Sequence, residues 1–264
     1  MGDRQRMTAA GTGKPMHELV RELFPINRSL TGDGVRSTLA AVGRELPLTL
    51  VETPSGTPVF DWIVPREWKA REAWIETPDG RRVANFAVSN LHLLGYSTPI
   101  DTMLSLDELQ AHLFVHAKDP DLVPYRTAYW AERWGFCLSQ REVDTFPHEG
   151  LYRAYIDTTL SDGSLTYGEF VLPGETEEEF LLTTYVCHPS LANDNLSGVV
   201  LLARLGRLLD AREHLRYTYR LLWSPGTLGP LCWLMNNQDR LGRVRHGLVI
   251  SCVCLLYTSP SPRD

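Results

Sequence analysis

Hydrophobic positions recur along this chain in two distinct periods. Over His17 to Phe24, Leu19, Val20, Leu23 and Phe24 share one helical face. Over Val35 to Leu46 the same spacing returns in Val35, Leu39, Val42 and Leu46, so two helices are expected near the start. The loop Pro25-Ile-Asn-Arg-Ser-Leu-Thr-Gly-Asp-Gly34 between them is rich in turn formers. From about Pro58 to His148 the texture changes to short β-like runs, Val59 to Val64, Ala73 to Thr77 and Arg82 to Val88, separated by Pro, Gly and Asp. A hairpin is expected around Pro78-Asp79-Gly80. Beyond it, Gly150 to Asp157 and Gly163 to Leu172 alternate as strands and suggest a second hairpin around Ser161-Asp162-Gly163.

The last third reads as strand, loop, helix, repeated. The run Phe180 to Cys187 leads into the polar stretch His188-Pro-Ser-Leu-Ala-Asn-Asp194-Asn-Leu-Ser-Gly198, and Val199 to Leu209 follows as a helix. A strand over Thr218 to Trp223, a helix near Leu228 to Gln238 and a strand over Gly247 to Val253 continue the pattern. Alternating strands and helices point to an α/β fold, and such folds hold their ligands at the carboxyl ends of strands. The expected architecture is a discontinuous α/β domain over residues 16–57 and 149–253, interrupted by a mainly β domain over 58–148.

Chemistry concentrates in the polar stretch. His188 and Asp194 stand six positions apart, an imidazole and a carboxylate of the kinds that ligate Zn²⁺, and a carboxylate can bridge two metals. The plainer alternative is a packed strand-end His and an Asp that caps the following helix. Cys187 beside His188 invites a Cys–His nucleophile reading, but adjacent strand residues face opposite ways, so no contact is expected. Arg28, Ser29, Thr31 and Arg36 could line the cleft, with Arg28 and Arg36 offering bidentate forks for a substrate carboxylate. Turn and cap chemistry explains Ser29 and Thr31 equally well. Glu169 could face the same cleft or end a strand in solvent. Five of the seven tryptophans, Trp62, Trp68, Trp74, Trp130 and Trp134, fall in the β-rich region, where they serve as core or as platforms for sugar rings. Core is the simpler role.

Composition narrows the function classes. A net charge of −6 with dispersed Lys and Arg argues against a nucleic-acid binder. No apolar stretch approaches the roughly 20 residues needed to span a bilayer. Five cysteines without paired spacing suggest reduced thiols and a cytoplasmic protein. Oligomeric state is not readable. Residues 1–15 read as a disordered leader. The tail from Cys254 to Asp264 reads as translated non-native sequence, which implies an α/β domain cut short.

The motifs also carry a family resemblance. Cys187 to Gly198, Phe24-Pro-Ile-Asn-Arg-Ser-Leu-Thr-Gly-Asp-Gly-Val-Arg36, Tyr129-Trp-Ala-Glu-Arg-Trp-Gly-Phe-Cys137 and Ile156 to Glu169 resemble bacterial aminopeptidase-like proteins of the DUF4910 type with an inserted DUF2172 domain. The resemblance runs from His17 to Val253. It implies a zinc-exopeptidase-like doubly wound sheet, here incomplete. It also implies one or two zinc ions with His188 as a terminal ligand and Asp194 as the bridging carboxylate. The substrate implied is a small peptide or an amide-linked molecule. Two departures qualify this. The related exopeptidases place an Asp two residues after the first His, where this chain has Ser190. They place a Glu pair, one of them the general base, after the next strand, where this chain has Trp223-Ser-Pro-Gly226-Thr-Leu-Gly229. The remaining acidic ligand and a distal His would fall past Val253. Losing a general base removes about 10²–10⁴ in rate, so this chain alone is expected to be inactive. The alternative is a non-catalytic metal- or ligand-binding module.

Overall fold

Helical and strand periods settle into two units in the computed structural model, which describes residues 13–254. One unit holds the described residues up to Val64 and those from Leu165 onward, and the other holds Pro65–Ser164. The first begins with α1 (Gly13–Leu23), α2 (Asp33–Gly43) and β1 (Thr49–Pro54), then the short pair β2 (Pro58–Val59) and β3 (Trp62–Ile63). The second unit contains β4 (Glu67–Glu76), β5 (Arg82–Val83), β6 (Ile100–Leu104), α3 (Leu106–Gln110), β7 (Leu113–Phe114), β8 (Phe136–Cys137), α4 (Gln140–Val143) and β9 (Tyr152–Ser161). The chain then returns to the first unit with β10 (Ser164–Leu172), β11 (Glu179–Tyr185), α5 (Gly198–Asp210), β12 (Thr218–Ser224), α6 (Leu228–Asn236) and β13 (Val244–Val249).

The first unit is built on a five-stranded sheet in the order β1-β10-β12-β11-β13. β11 runs parallel to both β12 and β13, while β10 is antiparallel to β12. Side chains of β12 alternate between two cores. Leu221 and Trp223 join Leu23, Val35, Leu39, Val42, Val199 and Leu202 from α1, α2 and α5. Leu222 joins Tyr167 with Leu228, Cys232 and Trp233 of α6. A strand covered on both faces needs a continuous apolar run rather than alternation, and Leu221-Leu-Trp223 supplies it. Each fully buried aliphatic side chain contributes about 1.5–3 kcal/mol.

Two tight approaches explain glycines near the site. A Cβ on Gly34 would lie 2.0 Å from the Asn27 carbonyl oxygen. One on Gly198 would lie 2.4 Å from the Ile250 oxygen and 2.8 Å from Thr184 Oγ1, so α5 starts close against the sheet.

The second unit is a four-stranded antiparallel sheet, β5-β4-β9-β6, with a small parallel pair, β7 and β8. The turn at Pro78-Asp79-Gly80 joins β4 to β5 as a hairpin, with Gly80 at φ +81°. The hairpin expected at Ser161-Asp162-Gly163 does not form. β9 pairs with β4 and β6, whereas β10 pairs in the other sheet, so the consecutive strands separate. Alternation marks a strand but says nothing of its partner. Because β9 belongs to the inserted unit, the observed boundaries lie at Val64 and Ser164, where the sequence suggested 57 and 148.

Other limits also shift. α1 starts at Gly13, inside the stretch assigned to a leader, and the strand expected over Gly247 to Val253 is found at Val244–Val249. The rest of the expected leader and the tail beyond Cys254 lie outside the described residues. Among the described residues no helix is long and apolar enough to cross a membrane, and the five cysteines are free thiols.

Candidate functional site

The site grows from the end of β11. The strand stops at Tyr185, and Val186 to Leu191 continue as irregular backbone before a turn over Ala192–Ser197 leads into α5. His188 and Asp194 therefore stand at the carboxyl end of a parallel strand. Tyr185 connects them. Its ring lies edge-on to the His188 imidazole with centroids 5.1 Å apart, and its hydroxyl donates to Asp194 Oδ1. Burial, reinforced by that hydrogen bond to Asp194, pushes the Tyr185 phenol well above its ordinary range. Burial lowers the His188 pKa, with the Asp194 carboxylate pulling the other way. A neutral imidazole is the form that ligates metal.

Arg28 holds the backbone of this loop. Its side chain is buried, and Nε donates to the His188 oxygen at 2.7 Å. Nη2 donates to the Pro189 oxygen at 2.9 Å and Nη1 to the Leu23 oxygen at 2.6 Å. Burial pulls its pKa down to about 10. Its fork is filled by carbonyls from α1 and the His188 loop. Ser190, where the exopeptidases carry an orienting Asp, donates its hydroxyl to the Phe24 oxygen at 2.6 Å.

The far side of the loop is tied by Asn195. Its amide donates to Thr184 Oγ1 at 2.8 Å and to the Tyr185 oxygen at 3.0 Å, while its Oδ1 accepts from the Cys252 N–H at 3.2 Å. The Asp194–Asn195 peptide bond is cis. Cys254 N–H reaches Asn193 Oδ1 at 3.0 Å and Val253 N–H reaches Ser197 Oγ at 3.1 Å.

The expected separation of Cys187 from His188 is not found: Sγ lies 3.7 Å from His188 Nδ1. Both residues lie past the end of β11, so strand alternation does not govern them. Sγ also accepts from the Gly226 N–H at 3.1 Å, and burial pushes the thiol up to about 11. A buried thiol with so high a pKa is a poor nucleophile near neutral pH.

The other expected ligand-binding residues are also engaged. Arg36 pairs with Glu52 at 3.0 Å and Asp33 at 3.4 Å. Glu169 lies within β10, where its carboxylate accepts from Arg220 Nη1 at 2.8 Å and from Trp233 Nε1 at 3.2 Å. Arg220 also makes two bonds to Glu179, at 2.7 and 3.0 Å, which completes a buried ion cluster. Ser29 and Thr31 are buried.

His188 and Asp194 have the right chemistry, but zinc sites use three or four protein ligands. Among the described residues no group of three or more His, Cys, Asp or Glu is placed to hold a metal ion. These residues alone do not complete a zinc site. Tyr185 escaped the sequence reading. A tyrosine closing an apolar strand looks like core, and only the fold turns its hydroxyl onto Asp194.

The "putative polysaccharide biosynthesis protein with aminopeptidase-like domain" of Clostridium acetobutylicum is 45% identical over 242 residues, which is 92% of this chain and 55% of that protein. The chain thus spans about half the length of the curated relative it matches. The crystal structure of a "putative peptidase" from Clostridium acetobutylicum superposes with a TM-score of 0.89 at 45% identity, covering 92% of this chain and 57% of that one. A zinc aminopeptidase from Bacillus subtilis shares the fold at 10% identity, with a TM-score of 0.58 over 92% of this chain and 68% of its own. A peptidase M28 precursor from Shewanella amazonensis does so at 11% identity and a TM-score of 0.53, over 90% and 73% of the two chains. A family model described as "Domain of unknown function (DUF4910)" matches residues 17–255. With nearly its whole length inside that match, the chain belongs to the DUF4910 family.

Proposed function

We propose that this chain carries part of an aminopeptidase-like hydrolase that acts on a small peptide or amide-linked substrate and depends on zinc. His188 and Asp194 are its contribution to the metal centre, and further donors have to come from outside the described residues. One observation carries this reading: both donors stand at the carboxyl end of β11, joined through Tyr185, with the backbone of His188 held by Arg28. The relative with an aminopeptidase-like domain and the zinc aminopeptidase with the same fold support it. In this reading the inserted unit is the DUF2172 domain, and Arg28 and Tyr185 serve as positioning residues.

The second reading is a non-catalytic ligand-binding module on the same fold. It is favoured by the turn after β12, where Ser224 to Gly229 carries no carboxylate to act as base. Hydrolysis of aminoacyl p-nitroanilides separates the two. The longer Clostridium acetobutylicum relative, assayed with zinc, should cleave them, and this chain under the same conditions should not. No cleavage by the longer relative with any such substrate would favour the module.

A further inference from the structure

The tryptophans of the inserted unit differ widely in exposure. Trp68 and Trp74 are core, each 4% exposed, whereas Trp130 is 56% exposed. Trp130 stands on the wall of an open-mouthed cleft of about 190 Å³ that is built wholly within Pro65–Ser164. Tyr96 and Tyr129 form its other aromatic walls, Leu160 adds an apolar patch, and Arg66 and Glu132 stand at its edge.

The aromatic walls are fixed before any ligand arrives. Tyr96 stacks on Trp68 at 5.6 Å with an interplanar angle of 16°, and its hydroxyl donates to the Arg66 oxygen at 3.3 Å. The Trp68 indole N–H is itself anchored on the Ser97 oxygen at 3.0 Å. Tyr96 has φ +66°, a conformation rare for a bulky residue and one that accumulates at functional positions. Tyr129 stands at 87° to Tyr96 with centroids 5.2 Å apart, and its hydroxyl shares a hydrogen bond with Tyr125 at 2.8 Å. Trp130 meets Tyr129 at 69° and 6.4 Å. The segment carrying these rings is clamped to the unit by Ala128 N–H to the Gly95 oxygen at 2.7 Å and Gly95 N–H to the Arg126 oxygen at 3.0 Å.

The polar edge selects the ligand class. Arg66 and Glu132 pair at 3.5 Å, so the edge carries no net charge and offers guanidinium donors beside carboxylate acceptors. An anion meets Glu132 and a cation meets Arg66, whereas a neutral polyol satisfies both. Flat carbon–hydrogen faces pack on aromatic rings while hydroxyls at the ring edge reach such a pair. The volume is below the roughly 300–1,000 Å³ of pockets that enclose drug-sized ligands. It suits one sugar ring, partly exposed. We infer that the cleft formed by Tyr96, Tyr129 and Trp130, edged by Arg66 and Glu132, is a binding site for a neutral carbohydrate ring, separate from the His188 and Asp194 site.

The test is saturation-transfer NMR and titration calorimetry on the full chain with methyl glucoside, methyl galactoside, methyl mannoside and N-acetylglucosamine, with glucuronate and choline as charged probes. Saturation of ring protons is expected for at least one neutral sugar. Trp130→Ala should weaken its binding about tenfold, the size of one aromatic contact. Glu132→Gln, which keeps the shape and unbalances the charge, should also weaken it. Neither substitution should change the circular dichroism spectrum. No binding of any neutral probe, binding unchanged in Trp130→Ala, or stronger binding of glucuronate or choline would overturn the assignment.

Discussion

Replacing Arg28 tests whether its guanidinium builds the His188 loop or receives substrate. Arg28→Ala removes three donors within 3.0 Å of the carbonyls of Leu23, His188 and Pro189. Each bond from a charged donor contributes about 1.5–3 kcal/mol, and a buried carbonyl left without a donor is penalised by about 1–3 kcal/mol. Against that, the variant no longer buries a charge, and the pKa pulled down to about 10 shows that burial penalises the protonated group. The net loss is expected to be of the size seen when one partner of a buried charged cluster is removed, about 3–5 kcal/mol, a large part of the roughly 5–15 kcal/mol that holds a domain together. Arg28→Lys should recover about half, because one ammonium cannot span three carbonyls in separate directions. Urea denaturation gives the stability change. Amide hydrogen exchange over residues 186–191 shows where the loss is felt, and it should speed up there before it does in β12. A loss under about 1 kcal/mol, or unchanged exchange over residues 186–191, would refute the positioning role and return Arg28 to the ligand.

Three further outcomes follow from the same packing. Gly198→Ala places a Cβ 2.4 Å from the Ile250 oxygen and should destabilise by about 1–3 kcal/mol in urea. Gly226→Ala meets Cys187 Sγ at 3.2 Å and should lose less than Gly198→Ala; equal losses would contradict the close-approach argument. Arg220→Met strands the buried carboxylate of Glu179 and that of Glu169 and should lower stability by about 3–5 kcal/mol, while Arg36→Met should change it by under about 1 kcal/mol. Acidification tests the surface carboxylates. Hydrogen bonds from Arg153 hold Asp101 below its ordinary pKa, and those from Arg71 do the same for Asp157. A depressed folded-state pKa gives stability that is present above the unfolded value near 3.9 and lost as pH falls through the folded value. Thermal melting temperature should therefore drop more steeply below about pH 4 in the wild type than in Asp101→Asn/Asp157→Asn. Parallel slopes would contradict this.

Much of the site was legible because it lies in consecutive residues. The apolar run into Cys187, the polar stretch to Ser197 and the helix after Gly198 fix His188 and Asp194 at a strand end from local pattern alone. The Pro78-Asp79-Gly80 hairpin was legible for the same reason. What escaped was pairing at long range. Nothing in Gly150 to Leu172 says that β9 joins β4 while β10 joins β12, since both strands alternate alike. Arg28 and Glu169 carry ligand-binding groups, and only the fold reveals that carbonyls and Arg220 already occupy them. Cys187 was misjudged because the strand ends two residues before it. Trp130 cannot be told from Trp68 by sequence, yet one is a wall of a cleft and the other its foundation.

Zinc binding to this chain tests the central claim most directly. With His188 and Asp194 as the available pair, zinc followed by calorimetry should bind more weakly than at three- or four-ligand sites. That binding should disappear in His188→Ala and in Asp194→Ala while the fold is retained. Tight stoichiometric zinc that persists in both variants, or no zinc binding in the wild type at any accessible concentration, would contradict the account.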